Sequence, residues 1–101
     1  MDPQQNEIIL FEHKDLKEEG RIKHIIITQF PEGNLHSLHS MDFKDCLSSL
    51  KWKLDPGITV TFHEDLDGTG REFAITGTGE DADTHNNNFG DCASSFDWKR
   101  A

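Results

Sequence analysis

The feature that most constrains the fold of this chain is a nine-residue segment that occurs twice. Residues 45–53 read DCLSSLKWK and residues 91–99 read DCASSFDWK, so Asp, Cys, both serines, Trp and the final Lys coincide. A repeat this dense, separated by about half the chain, predicts two similar halves. In each copy an oxygen-rich turn leads into alternating apolar and polar residues, a pattern typical of a half-buried strand.

The length of the chain, 101 residues, is the usual size of one domain. We expect residues 1–6 to form an N-terminal tail and residues 7–101 a single domain. Its first half would span about 7–54 and its second half about 58–101. The two tryptophans, Trp52 and Trp98, are expected to anchor the core at matched positions.

Short apolar segments separated by turn residues predict an all-β sandwich with little helix. The predicted strands are residues 8–11, 24–28 within the segment 21–30, 47–54, 58–62, 71–76 and the second repeat copy. Residues 13–20 fit either a helical turn or a long hairpin connection. Residues 35–43 are expected to form a crossing loop, and the polar residues 77–88 a surface loop.

The net charge of −9 argues against nucleic acid as a partner and favours divalent cations. No apolar run is long enough for a membrane span, and the first residues do not resemble a signal peptide. These features predict a soluble, cytoplasmic protein, with secretion left open. Cys46 and Cys92 are then expected to be free thiols, although a disulfide between the two repeats stays open.

The repeated turns offer oxygen ligands. Asp45 with Ser48, and Asp91 with Ser94, each place a carboxylate and a hydroxyl three residues apart. Such oxygens are the ligands that Ca²⁺ prefers. Asp and Ser also cap the backbone of ordinary turns, so the spacing alone leaves the two interpretations equally open.

Other chemistry has weaker support in the sequence. The acidic residues 64–68 fail as an EF-hand, because His63 and Ala74 would occupy its first and twelfth positions. A zinc site at His36 and His39 lacks a third ligand at motif distance. No phosphate-binding loop or nucleophile motif is present, so we do not expect an enzyme.

The repeats resemble the βγ-crystallins, particularly their calcium-binding microbial and invertebrate members. The second half contains FHEDLDGTGR at 62–71 and the first half FEHKDL at 11–16, each followed by its Asp-x-x-Ser-Ser turn. This resemblance covers nearly the whole chain. It implies that each half is a Greek key and that the two halves form one β-sandwich.

In that family the opening Glu supplies a backbone oxygen, and the closing turn supplies carboxylate, carbonyl and hydroxyl oxygens. The two turns share ligands across a pseudo-twofold axis, so up to two Ca²⁺ ions lie side by side. The residues that this resemblance implicates are Glu12, Asp45, Ser48, Glu64, Asp91 and Ser94. The chain departs from the pattern at Lys44 and Gly90, and the cation at Lys44 is expected to weaken binding beside Asp45.

The sequence therefore predicts a non-enzymatic, monomeric calcium-binding domain in which Ca²⁺ stabilises the fold. The alternative is a calcium-independent interaction or inhibitor module on the same fold, with degraded calcium sites and an unidentified protein partner. Lys44 and Gly90 motivate that alternative, and residues 77–88 would form its binding loop.

Overall fold

The computed structural model describes residues 2–38, 40, 43, 47–84 and 93–101. Within these ranges the chain forms eight strands and one 3-10 turn at Ile27–Gln29. The strands are β1 (Glu7–Phe11), β2 (Ile22–Ile26), β3 (His36–Ser37), β4 (Ser49–Lys53), β5 (Ile58–His63), β6 (Glu72–Thr76), β7 (Thr78–Asp81) and β8 (Ser95–Arg100). None of the described segments is a helix with the length and apolar character needed to cross a membrane.

The strands form two antiparallel sheets of four, in the orders β2-β1-β4-β7 and β3-β8-β5-β6. Each half of the chain contributes four strands, and its third strand joins the sheet of the other half. β3 therefore pairs with β8, and β7 pairs with β4. The predicted all-β sandwich built from two similar halves is confirmed, and the exchange of third strands binds the halves together.

The core lies between the two sheets and follows the alternation seen in the sequence. In β5, Ile58, Val60 and Phe62 are fully buried, whereas Thr59 and Thr61 are only partly buried. Each fully buried side chain of this size stabilises the fold by about 1.5–3 kcal/mol through the removal of apolar surface from water. The same cluster includes Ile8, Leu10, Leu38, Phe43, Leu47, Leu50 and Phe96.

The two tryptophans occupy matched positions but differ in burial. Trp98 is buried, and its indole N–H donates to the carbonyl oxygen of Phe30 at 3.0 Å. Trp52 makes the equivalent bond to Thr76 at 2.9 Å but is only partly buried. Its ring lies over Gly79, where a Cβ would come within 3.0 Å of the indole. Trp98 is thus a core residue as predicted, whereas Trp52 packs at the edge of the core.

Two predictions about loops are wrong. Residues 77–88 were expected to form a surface loop, but Thr78–Asp81 is strand β7. It pairs with β4 through its backbone, from Leu50 opposite Asp81 to Lys53 opposite Thr78. An edge strand of this kind can form without an apolar pattern, because backbone hydrogen bonds supply the pairing. Residues 35–43 likewise contain a short strand, β3, within the predicted crossing loop.

The other strand predictions hold with limits shifted by one or two residues. The predicted strand at 24–28 is β2, Ile22–Ile26, after which the chain turns through Ile27–Gln29. The first repeat strand begins at Ser49 rather than Leu47. Residues 13–20 contain no helix and connect β1 to β2, so the hairpin alternative is the correct one.

Candidate metal centre

The serine ends of the two closing turns are paired in the same way in both halves. Phe11 pairs with Ser49 at the end of β1 and β4, and His63 pairs with Ser95 at the end of β5 and β8. One residue before Ser49, the backbone N–H of Ser48 donates to the carbonyl oxygen of Phe11 at 3.0 Å. The backbone N–H of Ser94 donates to His63, also at 3.0 Å.

This register determines which predicted ligands lie together. Glu12 and Ser48 are the next residues beyond the pair Phe11–Ser49, so they meet at one end of the first sheet. Glu64 and Ser94 take the corresponding place in the second sheet. Ser48 and Ser94 are each 6% exposed, so both residues are buried at these strand ends. Four of the six predicted ligands therefore form two equivalent pairs.

The second serine of each turn has a structural role. The Ser49 hydroxyl donates to the carbonyl oxygen of His13, and the Ser95 hydroxyl donates to that of Asp65, both at 2.6 Å. The Ser49 oxygen also accepts the N–H of Leu16 at 3.1 Å. These bonds fasten each closing turn to the opening hairpin of its own half. The repeat alone does not separate this role from ligation, because both serines are identical in both copies.

The side chains of Glu12 and Glu64 close their own hairpins. Glu12 Oε1 accepts the backbone N–H of Arg21 at 2.8 Å, and Glu64 Oε1 accepts that of Arg71 at 3.2 Å. The Arg71 guanidinium also donates to Glu64 Oε2 at 2.8 Å. The hydrogen bonds from Arg71 hold the pKa of the Glu64 carboxyl below its usual value. Both carboxylate oxygens of Glu64 and one of Glu12 are thus used within the hairpins. This arrangement favours the backbone carbonyl of each Glu as the oxygen for a metal.

Glycine is required where each hairpin returns. Gly20 and Gly70 have φ of +74° and +82°, a region that residues with a Cβ rarely adopt. A Cβ at Gly20 would lie 2.5 Å from Glu12 Oε1, and one at Gly70 would lie 2.7 Å from Glu64 Oε1. Both glycines thus allow the Glu side chain to fold back over the hairpin.

The closing turns are also bonded across the two halves. The N–H of Thr84 donates to the carbonyl oxygen of Ser48, and the N–H of Leu38 donates to that of Ser94, both at 2.9 Å. In the first of these, Thr84 belongs to the second half and Ser48 to the first. Each turn is therefore fixed by a segment from the opposite half.

The remaining predicted ligands, Asp45 and Asp91, lie outside the described residues, as do Lys44, Gly90, Cys46 and Cys92. In the part of the chain that the structure describes, no three His, Cys, Asp or Glu side chains are grouped as a metal site. The structure thus describes the serine end of each turn, and the rest of each turn lies outside the described residues.

The other candidate sites have ordinary structural partners. His36 packs against the rings of Phe30 and Phe96, with centroids 4.9 and 5.3 Å away, and His39 is not among the described residues. In the acidic loop, the Thr69 hydroxyl donates to Asp67 at 2.6 Å and to Asp65 at 3.1 Å. The hydrogen bonds from Thr69 lower the pKa of Asp67. That loop is the β5–β6 hairpin turn.

Two four-stranded sheets, paired turns and exchanged third strands define a double Greek-key β-sandwich. Among solved structures, the chain has the fold of βγ-crystallin domains. It aligns over 100% of its length with 92% of a structure described as "Evolution of the eye lens beta-gamma-crystallin domain fold", at a TM-score of 0.79 and 20% identity.

Two further structures come from distant organisms. A βγ-crystallin from Ciona intestinalis aligns over 92% of this chain and 99% of its own, at a TM-score of 0.67 and 21% identity. A βγ-crystallin from an archaeon aligns over 93% and 98%, at a TM-score of 0.64 and 23% identity. A scan against family models and a search of curated proteins give no match. The fold that the sequence resemblance implied is confirmed.

Proposed function

We propose that this chain is a non-enzymatic Ca²⁺-binding domain that holds up to two ions at its paired closing turns. The observation that carries the proposal is the matched placement of Ser48 beside Glu12 and of Ser94 beside Glu64, one residue beyond the last strand pair of each half. A single serine turn is common in proteins. Two such turns, each hydrogen-bonded to a segment of the opposite half, support the proposal that the halves share ligands.

Each residue has a defined part in the proposed site. Ser48 and Ser94 offer hydroxyl oxygens, Glu12 and Glu64 offer backbone carbonyls, and Asp45 and Asp91 supply the carboxylates. Ca²⁺ takes six to eight oxygen ligands in a tolerant geometry, so water completes the set. The net charge of −9 adds a long-range attraction for a divalent cation.

Bound calcium would stabilise the folded chain by mass action, because the unfolded chain has no assembled site. At a free Ca²⁺ concentration 100 times the dissociation constant, the gain is about 2.7 kcal/mol. Each kcal/mol raises the melting temperature of a domain this small by about 4–8 °C. We expect melting with excess Ca²⁺ to occur well above melting in chelator, with heat of binding in calorimetry. Absence of both effects would refute the proposal.

The alternative function is a calcium-independent interaction or inhibitor module. Its motivation is Lys44, which puts a positive charge next to Asp45 in the sequence. Its test cannot be a deletion of residues 77–88, because that deletion would remove β7. Substitutions at the exposed residues Thr78 and Glu80 are suitable instead, in a pull-down performed with chelator. A partner that is retained in chelator and lost on these substitutions would favour the alternative.

A further inference from the structure

A second constellation of polar residues lies on the outer face of the sheet β3-β8-β5-β6. His63 on β5 is buried, with its side chain 8% exposed, between Glu72 on β6 and Asp97 on β8. Its Nε2 is 3.2 Å from Asp97 Oδ1, and its Nδ1 is 3.7 Å from Glu72 Oε2. The Nδ1 atom is buried and has no hydrogen-bond partner in the described part of the chain.

The contact with Asp97 determines which nitrogen of His63 carries a proton. An ionised carboxylate only accepts hydrogen bonds, so Nε2 donates to Asp97. In neutral His63 the Nδ1 atom is then an unprotonated lone pair that faces the negative oxygen of Glu72. A buried polar atom without a partner costs free energy. A cation placed between Nδ1 and the Glu72 carboxylate, which is 3.7 Å away and belongs to a largely exposed side chain, would give this nitrogen the partner that it lacks.

The first half of the chain shows that the fold does not require a histidine between two carboxylates here. The strand pairing makes Phe11 equivalent to His63, Ile22 to Glu72 and Lys51 to Asp97. Phe11 is fully buried without any polar partner. The second half therefore has a buried imidazole flanked by two carboxylates, which the first half lacks. His63 contacts both Glu72 and Asp97.

We infer that His63 and Glu72 bind a late first-row divalent cation of the Zn²⁺ class, with Asp97 orienting the imidazole. Zn–N and Zn–O bonds are about 2.0–2.2 Å each, and at a tetrahedral angle one ion holds two such ligand atoms about 3.4 Å apart. His63 Nδ1 and Glu72 Oε2, at 3.7 Å, lie close to that separation. The carboxylate–histidine–metal arrangement is the usual way in which a protein fixes the tautomer of a histidine ligand.

The nitrogen ligand separates this site from the proposed calcium turns, because Ca²⁺ takes oxygen ligands and imidazole suits zinc, copper and nickel. The site has two protein ligands, and water fills the other positions. It opens to a surface groove of about 160 Å³ that water can reach, lined by Thr59, Thr61, His63, Glu72, Asp97 and Lys99. The two carboxylates and the Lys99 ammonium leave one net negative charge to attract the ion.

The test is a Zn²⁺ titration of the full chain followed by the side-chain ¹⁵N resonances of histidine, which report each ring separately. We expect the His63 Nδ1 resonance to shift to saturation while its Nε2 keeps its proton. Asp97→Asn should weaken binding at His63 by about 10-fold to 100-fold, the usual effect of losing such a partner. Glu72→Gln should weaken it at least as much, and Glu72 is exposed enough for this variant to fold.

Two further variants serve as controls. His63→Phe places the residue of the first half at this position, and it should melt like the parent chain while zinc no longer perturbs Glu72. His24→Gln removes a histidine that contacts Glu7 at 3.1 Å, and it should leave binding at His63 unchanged. Three results overturn the proposal. They are no response of His63 to Zn²⁺, a response that Glu72→Gln does not weaken, or a His63 ring protonated on both nitrogens that Zn²⁺ leaves unchanged.

Discussion

Thr84 donates its backbone N–H to the carbonyl oxygen of Ser48 at 2.9 Å, and its hydroxyl lies 3.3 Å from the carbonyls of both Leu47 and Ser48. Thr84 is fully buried and belongs to the opposite half from Ser48. A proposed ligand turn of one half is therefore fixed by a side chain of the other. This link predicts that the two halves melt together, in one transition, with or without calcium.

Replacing the Thr84 hydroxyl should weaken this link. Thr84→Val keeps the shape of the side chain but leaves the carbonyl of Leu47 without the hydroxyl. We expect a loss of about 1 kcal/mol, the net value of one hydrogen bond. The control is Thr76→Val, at an exposed position of β6, where a change within about 0.5 kcal/mol is expected. Urea unfolding measures both, and equal losses would contradict the role of Thr84.

The return of the β5–β6 hairpin should depend on glycine for two separate reasons. Gly70 and Gly33 have nearly the same φ, +82° and +81°, but only Gly70 has close neighbours. Gly33→Ala should cost about 1–2 kcal/mol, the conformational penalty alone. Gly70→Ala should cost more, because its Cβ would lie 2.7 Å from Glu64 Oε1 and 2.9 Å from Glu64 Cβ. Chemical unfolding decides the order, and a larger loss at Gly33 would refute the steric argument.

Gly70→Ala also tests the calcium proposal. Displacement of Glu64 would move the backbone carbonyl that the proposed site uses, so calcium affinity should fall in this variant. Gly33 lies in another turn, and Gly33→Ala should leave calcium affinity unchanged. Calorimetric titration of both variants makes the comparison.

The ion pair of Glu64 and Arg71 predicts a pH dependence of stability. Hydrogen bonds from Arg71 lower the pKa of Glu64 from its usual 4.5 in the folded chain. Its ionised form therefore contributes stability above pH 4.5, and this contribution is lost as the pH falls through the lower, folded value. Both side chains are partly exposed, so the effect should be small and should decrease with added salt.

Arg71→Gln is the variant that isolates this pair. We expect the pKa of Glu64 to rise towards 4.5 and the acid limb of the stability curve to flatten. Carboxyl resonances of Glu64 across the acid range measure the first effect, and melts across the same range measure the second. Lys17→Gln removes one positive charge from the other hairpin and should change neither. An unchanged Glu64 titration in Arg71→Gln would contradict the assignment.

The repeated turn was sufficient to predict the two-half sandwich, because its Trp and Ser positions coincide at matched strand ends. It could not predict β7, since Thr78, Gly79 and Glu80 have no apolar alternation and pair through their backbone. The exchange of third strands could not be predicted either, because it depends on pairing between strands that are far apart in the sequence. Periodicity reports which face of a strand is buried, and it does not report which neighbour that strand pairs with.

The candidate sites also contain residues that the sequence identifies and residues whose role depends on long-range contacts. Ser48 and Ser49 are adjacent and identical in type, and only the hydrogen bond from the Ser49 hydroxyl to His13 shows that Ser49 fastens the turn to the hairpin. In the sequence, no motif distinguishes His63 from the other polar residues. Its importance is visible only after strand pairing makes it equivalent to the buried Phe11.

The last prediction concerns the charges beside the proposed calcium sites. Asp45→Ala and Asp91→Ala together should abolish the rise in melting temperature with Ca²⁺, because each removes a carboxylate ligand. Lys44→Gln removes a positive charge next to Asp45 in the sequence and should raise affinity. A unit charge and a divalent ion about 8 Å apart in water interact by about 1 kcal/mol, which corresponds to about a fivefold change in affinity.

Single variants then separate the two turns. Since Gly90 brings no charge beside Asp91, we expect Asp91→Ala to remove the tighter binding step and Asp45→Ala the weaker one. Lys51→Gln removes a charge on β4, away from the turn, and is the matched control for Lys44→Gln. Calorimetry resolves the two steps. If Lys44→Gln left the affinity of the weaker binding step unchanged, repulsion between Lys44 and Ca²⁺ would not be the reason why that step is weak.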